Sequence, residues 1–268
     1  MKTKIFVLVV TLFSFFLSPA FAADSLSEKH WTTYGKVGYF SWVEHLENGQ
    51  EFIRDDGMIY AAGITRNDKV LEHLSLTETF EVWGGYVAYD GETVYTGEEM
   101  RDSRNGYLGA REEVRVTGHV PFASITLNPF ASIEHKGWSR EVENELWNMV
   151  YSRIGMTAMY STPKVQLYIG GGKTIPLYTA NRWAVSDFTE FDDVTLRPKA
   201  KPGMFAEAGF KVGRWDVGVA YEQTDFKKSP TVWAKGGPPV GGGASKKGSF
   251  WQPKSSTSTG WLKIGYSF

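Results

Sequence analysis

Cysteine is missing from all 268 residues. Its absence excludes disulfides, thiolate catalysis, iron–sulfur clusters and cysteine-ligated zinc. An excess of either charge is missing too. The 29 basic and 30 acidic residues leave a formal net charge of −1, which offers no electrostatic case for a nucleic-acid partner. No apolar run reaches the roughly 20 residues that a spanning helix requires, so the chain is not a helical membrane protein. The five histidines (His30, His45, His73, His119 and His135) have neither zinc-helix spacing nor an HExxH pattern. No serine stands in a G-x-S-x-G elbow. No metal and no cofactor is expected.

What the chain does have is aromatic rings and glycine: 10 Trp, 13 Tyr, 17 Phe and 29 Gly. It opens with a segment that reads as an export signal. Lys2 and Lys4 precede an apolar run from Ile5 to Leu17, Ser18-Pro19 breaks that run, and Ala20-Phe21-Ala22 supplies the small residues of a cleavage site. The expected organisation is therefore a signal peptide over 1–22 and a single domain over 23–268. Removing two lysines leaves 27 basic against 30 acidic residues, a mature net charge of −3.

The mature chain alternates with a period of two. Trp215, Val217, Val219 and Tyr221 share one face, opposite Asp216, Gly218, Ala220 and Glu222. The preceding segment does the same, with Met204, Ala206, Ala208 and Phe210 opposite Phe205, Glu207, Gly209 and Lys211, and only Gly213-Arg214 joins the two. About ten such segments lie near 36–44, 58–66, 76–89, 107–119, 123–136, 147–160, 164–176, 203–212, 215–226 and 257–268. Connections near 120–122, 161–163 and 213–214 are tight, whereas those near 45–57, 90–106, 137–146, 177–202 and 227–256 are long; the turn near 67–75 is intermediate. Long strands with one short-turn end and one long-loop end predict an all-β fold, an up-and-down antiparallel transmembrane β-barrel of about ten strands, with eight to twelve in range. Tyr60, Tyr86, Trp147, Tyr160, Trp215 and Tyr266 are expected at the membrane interfaces. A soluble β-sandwich shows the same alternation, but strand length and loop asymmetry argue against it.

The chain ends Trp261-Leu-Lys-Ile-Gly-Tyr-Ser-Phe268, with Leu262, Ile264, Tyr266 and Phe268 on one face. These residues resemble the closing strand of bacterial outer-membrane β-barrel proteins. That resemblance implies recognition of the final aromatic by the barrel assembly machinery, residence in the outer membrane of a Gram-negative-type cell, and contact with outer-membrane lipid and lipopolysaccharide. A monomer is expected.

With the apolar faces toward lipid, the opposite faces line the lumen. They carry Lys36, Arg111, Arg115, Lys136, Arg153, Lys211 and Lys263 against Glu44, Glu81, Glu113, Glu134, Glu207, Asp216 and Glu222. Trp42, Trp83, Phe130, Tyr151, Tyr168, Phe205 and Trp261 join them. A ten-stranded barrel has little more room than its own side chains need, so the interior should pair its charges and leave little bore. Arg111, Glu113 and Arg115, adjacent on one face, read first as a salt-bridge rung and second as an ion selector. Lys173 falls on the lipid face; either a bulge at Gly170–Gly172 swings it inward or it sits above the bilayer.

Chemistry is thinner. Gly172-Lys173-Thr174 looks like the end of a phosphate-binding loop, but Leu167 occupies the position of its first glycine. Barrel enzymes such as omptin proteases and lipid A deacylases place histidines and carboxylates at the outer rim. His45, Asp55, Asp56 and His135 are the rim candidates here, without either family's motif. Loop 227–256 concentrates Lys227, Lys228, Lys235, Lys246, Lys247 and Lys254 with Trp233 and Trp251, a pattern suited to lipopolysaccharide phosphates or an acidic glycan. The leading reading is a non-enzymatic surface scaffold or binding protein with a filled lumen. A channel for small solutes and a rim hydrolase acting on lipid A or peptides are the alternatives.

Overall fold

The computed structural model describes residues 29–92, 99–187, 189–236 and 247–268; the signal segment 1–22 and Lys246 lie outside them. In chain order the strands are β1 (Lys29–His45), β2 (Glu51–Leu71), β3 (Leu74–Glu92), β4 (Glu99–Gly118) and β5 (Val120–Phe122), the last prolonging β4 toward its turn. Then come β6 (Ile125–Arg140), β7 (Glu145–Ser161), β8 (Val165–Trp183), β9 (Val194–Leu196), β10 (Gly203–Val212), β11 (Trp215–Phe226), β12 (Val232–Lys235), β13 (Lys247–Phe250) and β14 (Lys254–Ser267). Ten of them form an antiparallel barrel in up-and-down order. It closes where β14 pairs with β1, setting Lys263 opposite Lys36, and β10 joins β8 across the excursion that contains β9. β9 hangs on the end of β8, and β12–β13 form a separate hairpin, so neither adds to the wall.

The alternation is what sorts the residues. Leu108, Ile133, Ile154, Ile169, Val219 and Leu262 point outward and are well exposed. In water such a belt would be costly; in lipid it is the solvated face. Tyr39, Tyr60, Tyr86 and Tyr221 mark its upper edge, and Phe122, Tyr160, Trp215 and Phe268 its lower one, all exposed. The Gly213-Arg214 hairpin forms as expected, with Gly213 at φ +57, a left-handed value that favours glycine.

Strand ends differ from the expectation on the long-loop side. β2 runs for 21 residues and β4 for 20. At about 3.3 Å per residue and a tilt near 40°, 20 residues rise about 50 Å, roughly twice the 25 Å apolar band. The strands therefore continue well above the membrane, and much of what reads as loop over 45–57, 90–106 and 137–146 is paired strand. Alternation fails there because both faces are polar once lipid is left behind. The turn at 67–75 also tightens, with only Glu72 and His73 between β2 and β3.

Two side chains need comment. Trp147 is not at an interface: it is fully buried inside the barrel, sharing the parity of Tyr151 and Arg153. Lys173 stays outward and exposed, because β8 remains in register through Gly170–Gly172 with both β7 and β10. Those glycines serve a different purpose. A Cβ on Gly172 would overlap the Ile154 carbonyl oxygen and press on the Phe205 ring, which lies 5.8 Å from Phe130 in the lumen. Glycine there lets the aromatic ring lie flat on the neighbouring wall.

Candidate functional site

The lumen divides into two parts. The part at the short-turn end is a vestibule of about 470 Å³, with Tyr34, Lys36, Arg111, Arg115, Lys211 and Lys263 among its walls. Most of its charges are paired, across strands or along one. Lys36 lies 2.5 Å from Glu81, Arg115 2.9 Å from Glu113 and Lys263 2.8 Å from Asp216. Deeper in, Arg153 lies 2.9 Å from Glu134 and 4.0 Å from Glu113, Arg111 sits 3.7 Å from Glu81 and 3.9 Å from Glu134, and Lys136 lies 2.8 Å from Glu222. Glu207 accepts a hydrogen bond from Thr157 at 3.3 Å. Lys211, at the mouth, makes no ion pair with a described residue. Arg111, Glu113 and Arg115 thus stand in a network of paired charges, not in a ring lining an open bore.

Above the vestibule the interior is solid. Phe40, Trp42, Trp83, Tyr107, Trp138, Trp147, Met149 and Phe226 form one buried cluster. Trp138 and Trp147 stack with centroids 5.4 Å apart and planes 4° from parallel, and Trp42 meets Trp147 edge-on at 5.0 Å. The cavity lined by Trp42, Trp83, Glu134 and Arg153, between this layer and the charges below it, holds about 30 Å³.

A single guanidinium caps the aromatic layer. Arg140, at the end of β6, is fully buried and uses all five N–H donors. Nε donates to the Tyr107 hydroxyl at 3.0 Å, Nη1 to Glu44 and Glu145 at 2.9 Å each, and Nη2 to Asp55 and Glu143 at 2.8 Å each. Asn105 donates to Asp55 and Glu143, Gln252 donates to Glu44, and Tyr107 donates to Asp55 at 2.5 Å. The Trp42 indole donates to Glu44 and the Trp147 indole to Glu145, 2.9 and 2.8 Å. Four carboxylates share one cation, and burial among them pushes the Glu143 carboxyl, in the β6–β7 turn, up to about 8. Neighbouring acids would leave this cluster strongly anionic; one retained proton relieves it.

The rim candidates do not come together. Asp55 belongs to the Arg140 cluster, Asp56 points outward and accepts from Tyr39, and His135 stands on the outer wall opposite Glu112. His45 lies elsewhere again, in a groove of about 450 Å³ outside the barrel with Leu46, Lys227, Lys228, Trp251 and Lys254. There the Lys228 ammonium sits 5.0 Å over the Trp251 ring and pairs with Glu47, holding that carboxyl below its usual range. The loop residues divide. Trp233, Lys235 and Lys247 line a different opening on the β12–β13 hairpin, beside a small core of Trp183, Val185, Val194, Leu196, Ala234 and Phe250.

Neither a family model nor a curated protein sequence matches the chain. Solved structures do. The outer-membrane protease OmpT from Escherichia coli is 12% identical over 92% of this chain and 99% of its own, with a TM-score of 0.53. This is the fold of a bacterial outer-membrane β-barrel. An outer-membrane channel from Pseudomonas putida F1 also matches, at 11% identity over 92% of this chain and 97% of that one, with a TM-score of 0.43. A likeness at 12% identity shows the fold alone and selects no activity.

Arg140, Glu143, Glu145, Asn105, Tyr107 and Gln252 are the residues that sequence reasoning overlooks. A signal for them exists: Trp42-x-Glu44 and Glu145-x-Trp147 each set an indole and a carboxylate on one face of a strand, two residues apart.

Proposed function

We propose that this protein is a non-conducting integral outer-membrane barrel, acting at the cell surface as a scaffold or binding protein rather than as a pore or hydrolase. The observation that carries the reading is the continuous plug formed by the Trp42–Trp138–Trp147 layer and the Arg140 cluster, both built from the barrel's own strands. The exposed apolar belt and its aromatic edges support the membrane placement, and the C-terminal Leu262, Ile264, Tyr266 and Phe268 support assembly by the barrel machinery. Asp55, Asp56, His45 and His135 lie in different surroundings, which speaks against a hydrolase built on these four residues.

The test is single-channel recording from the mature chain, refolded in detergent and shown to be folded by heat-dependent gel mobility. A silent bilayer is expected. Reproducible conductance steps would overturn the reading and move solute transport ahead.

A further inference from the structure

We infer that the groove around Trp251 binds the phosphate groups of a saccharide at the outer wall of the barrel. Its position is set by the strands beneath it. His45 and Lys254 are register partners on β1 and β14, and His45 stands six residues beyond Tyr39. Lys227 stands six residues beyond Tyr221. Six tilted strand residues rise about 15 Å, which puts the groove above the upper tyrosine edge, in the layer occupied by sugar headgroups rather than hydrocarbon.

Its chemistry is uneven in a useful way. Lys201, Lys227, Lys228 and Lys254 line the groove with a single carboxylate, Glu47, which Lys228 already holds. Lys201 lies 3.8 Å from Asp225, while Lys227 and Lys254 make no ion pair with a described residue. Two ammonium groups are thus left facing an open groove, beside the Trp251 ring and Leu46. Ammonium groups supply the charge-assisted donors that phosphate oxygens take, and an indole face suits the C–H side of a pyranose. The ligand is a phosphate-bearing saccharide, supplied either by lipopolysaccharide in the same membrane or by a soluble glycan.

The inference rests on the outer-membrane placement proposed above, which heat-dependent mobility of the refolded chain tests separately. Binding is measured on the refolded mature protein with three probes: purified lipopolysaccharide, the same material after phosphatase treatment, and the soluble phosphorylated core oligosaccharide released from it. The variants are the triple Lys227→Ala, Lys228→Ala, Lys254→Ala chain and the single Trp251→Ala chain. Lipopolysaccharide should bind, and both dephosphorylation and the triple substitution should weaken it about tenfold. Equal binding of the soluble oligosaccharide supports a glycan source; binding of the intact lipid alone supports a membrane source. A correctly folded wild type that fails to bind lipopolysaccharide, or binding indifferent to phosphate or to the three lysines, overturns the inference.

Discussion

Replacing Arg140 by Met is the sharpest perturbation of the plug. Methionine keeps an unbranched stem beside the Trp42 ring, over which the guanidinium carbon now sits at 5.0 Å, but it withdraws all five donors. Glu44, Asp55, Glu143 and Glu145, all buried, then face one another with no cation. Breaking a buried ion pair from one side costs about 3–5 kcal/mol, and here four partners are stranded by one change. The carboxyls answer by binding protons, which caps the loss near the upper end of that range at pH 8 and shrinks it at pH 5. Arg140→Lys should fall between, since three donors cannot meet five acceptors. Equilibrium unfolding of the detergent-refolded barrel in guanidinium, followed by tryptophan fluorescence, reports on the site directly because Trp42 and Trp147 touch the carboxylates. An Arg140→Met midpoint equal to wild type at pH 8 would refute the reasoning. So would a loss of the same size at pH 5 and pH 8, which would mark lost packing rather than stranded charge.

Two further outcomes are expected. Glu143 retains its proton to about pH 8 in the folded chain, against an ordinary value of 4.5 when unfolded. The folded state therefore binds the extra proton between those values, so the contribution of this group to stability is full below about pH 4.5 and is lost as pH rises toward 8, which thermal unfolding across that window reads as a falling midpoint. Gly172→Ala drives a methyl group into the backbone of β7 and against Phe205, and should cost about 2 kcal/mol or more of unfolding free energy; combining it with Phe205→Ala leaves the backbone overlap in place and should not restore stability.

The membrane half of this barrel is legible because lipid imposes a rule on every second residue. All ten wall strands follow from it, as does the outward stand of Val219, Leu262 and Ile264. Trp147 escapes when interface residues are chosen by ring type, although its parity with Tyr151 already sends it inward. Above the lipid the rule lapses. Glu51–Gly57 of β2 has polar groups on both faces, so the strand that carries Asp55 into the plug reads as loop. The Arg140 cluster draws on β1, β2, β4, the β6–β7 hairpin and the segment around Gln252, and no local spacing encodes a meeting of these five separate pieces. The two indole–carboxylate pairs and the Arg140–Glu143–Glu145 run around the β6–β7 turn are its local traces.

The vestibule of about 470 Å³ opens on one side of the barrel and ends at the tryptophan layer. Such a shape is a well closed at one end, as the proposed non-conducting barrel requires. A barrel that does not conduct, as proposed above, adds no leak for nutrients or antibiotics however many copies the envelope holds. Under that proposal, assembly capacity and membrane area, rather than permeability, bound the number of copies a cell can carry.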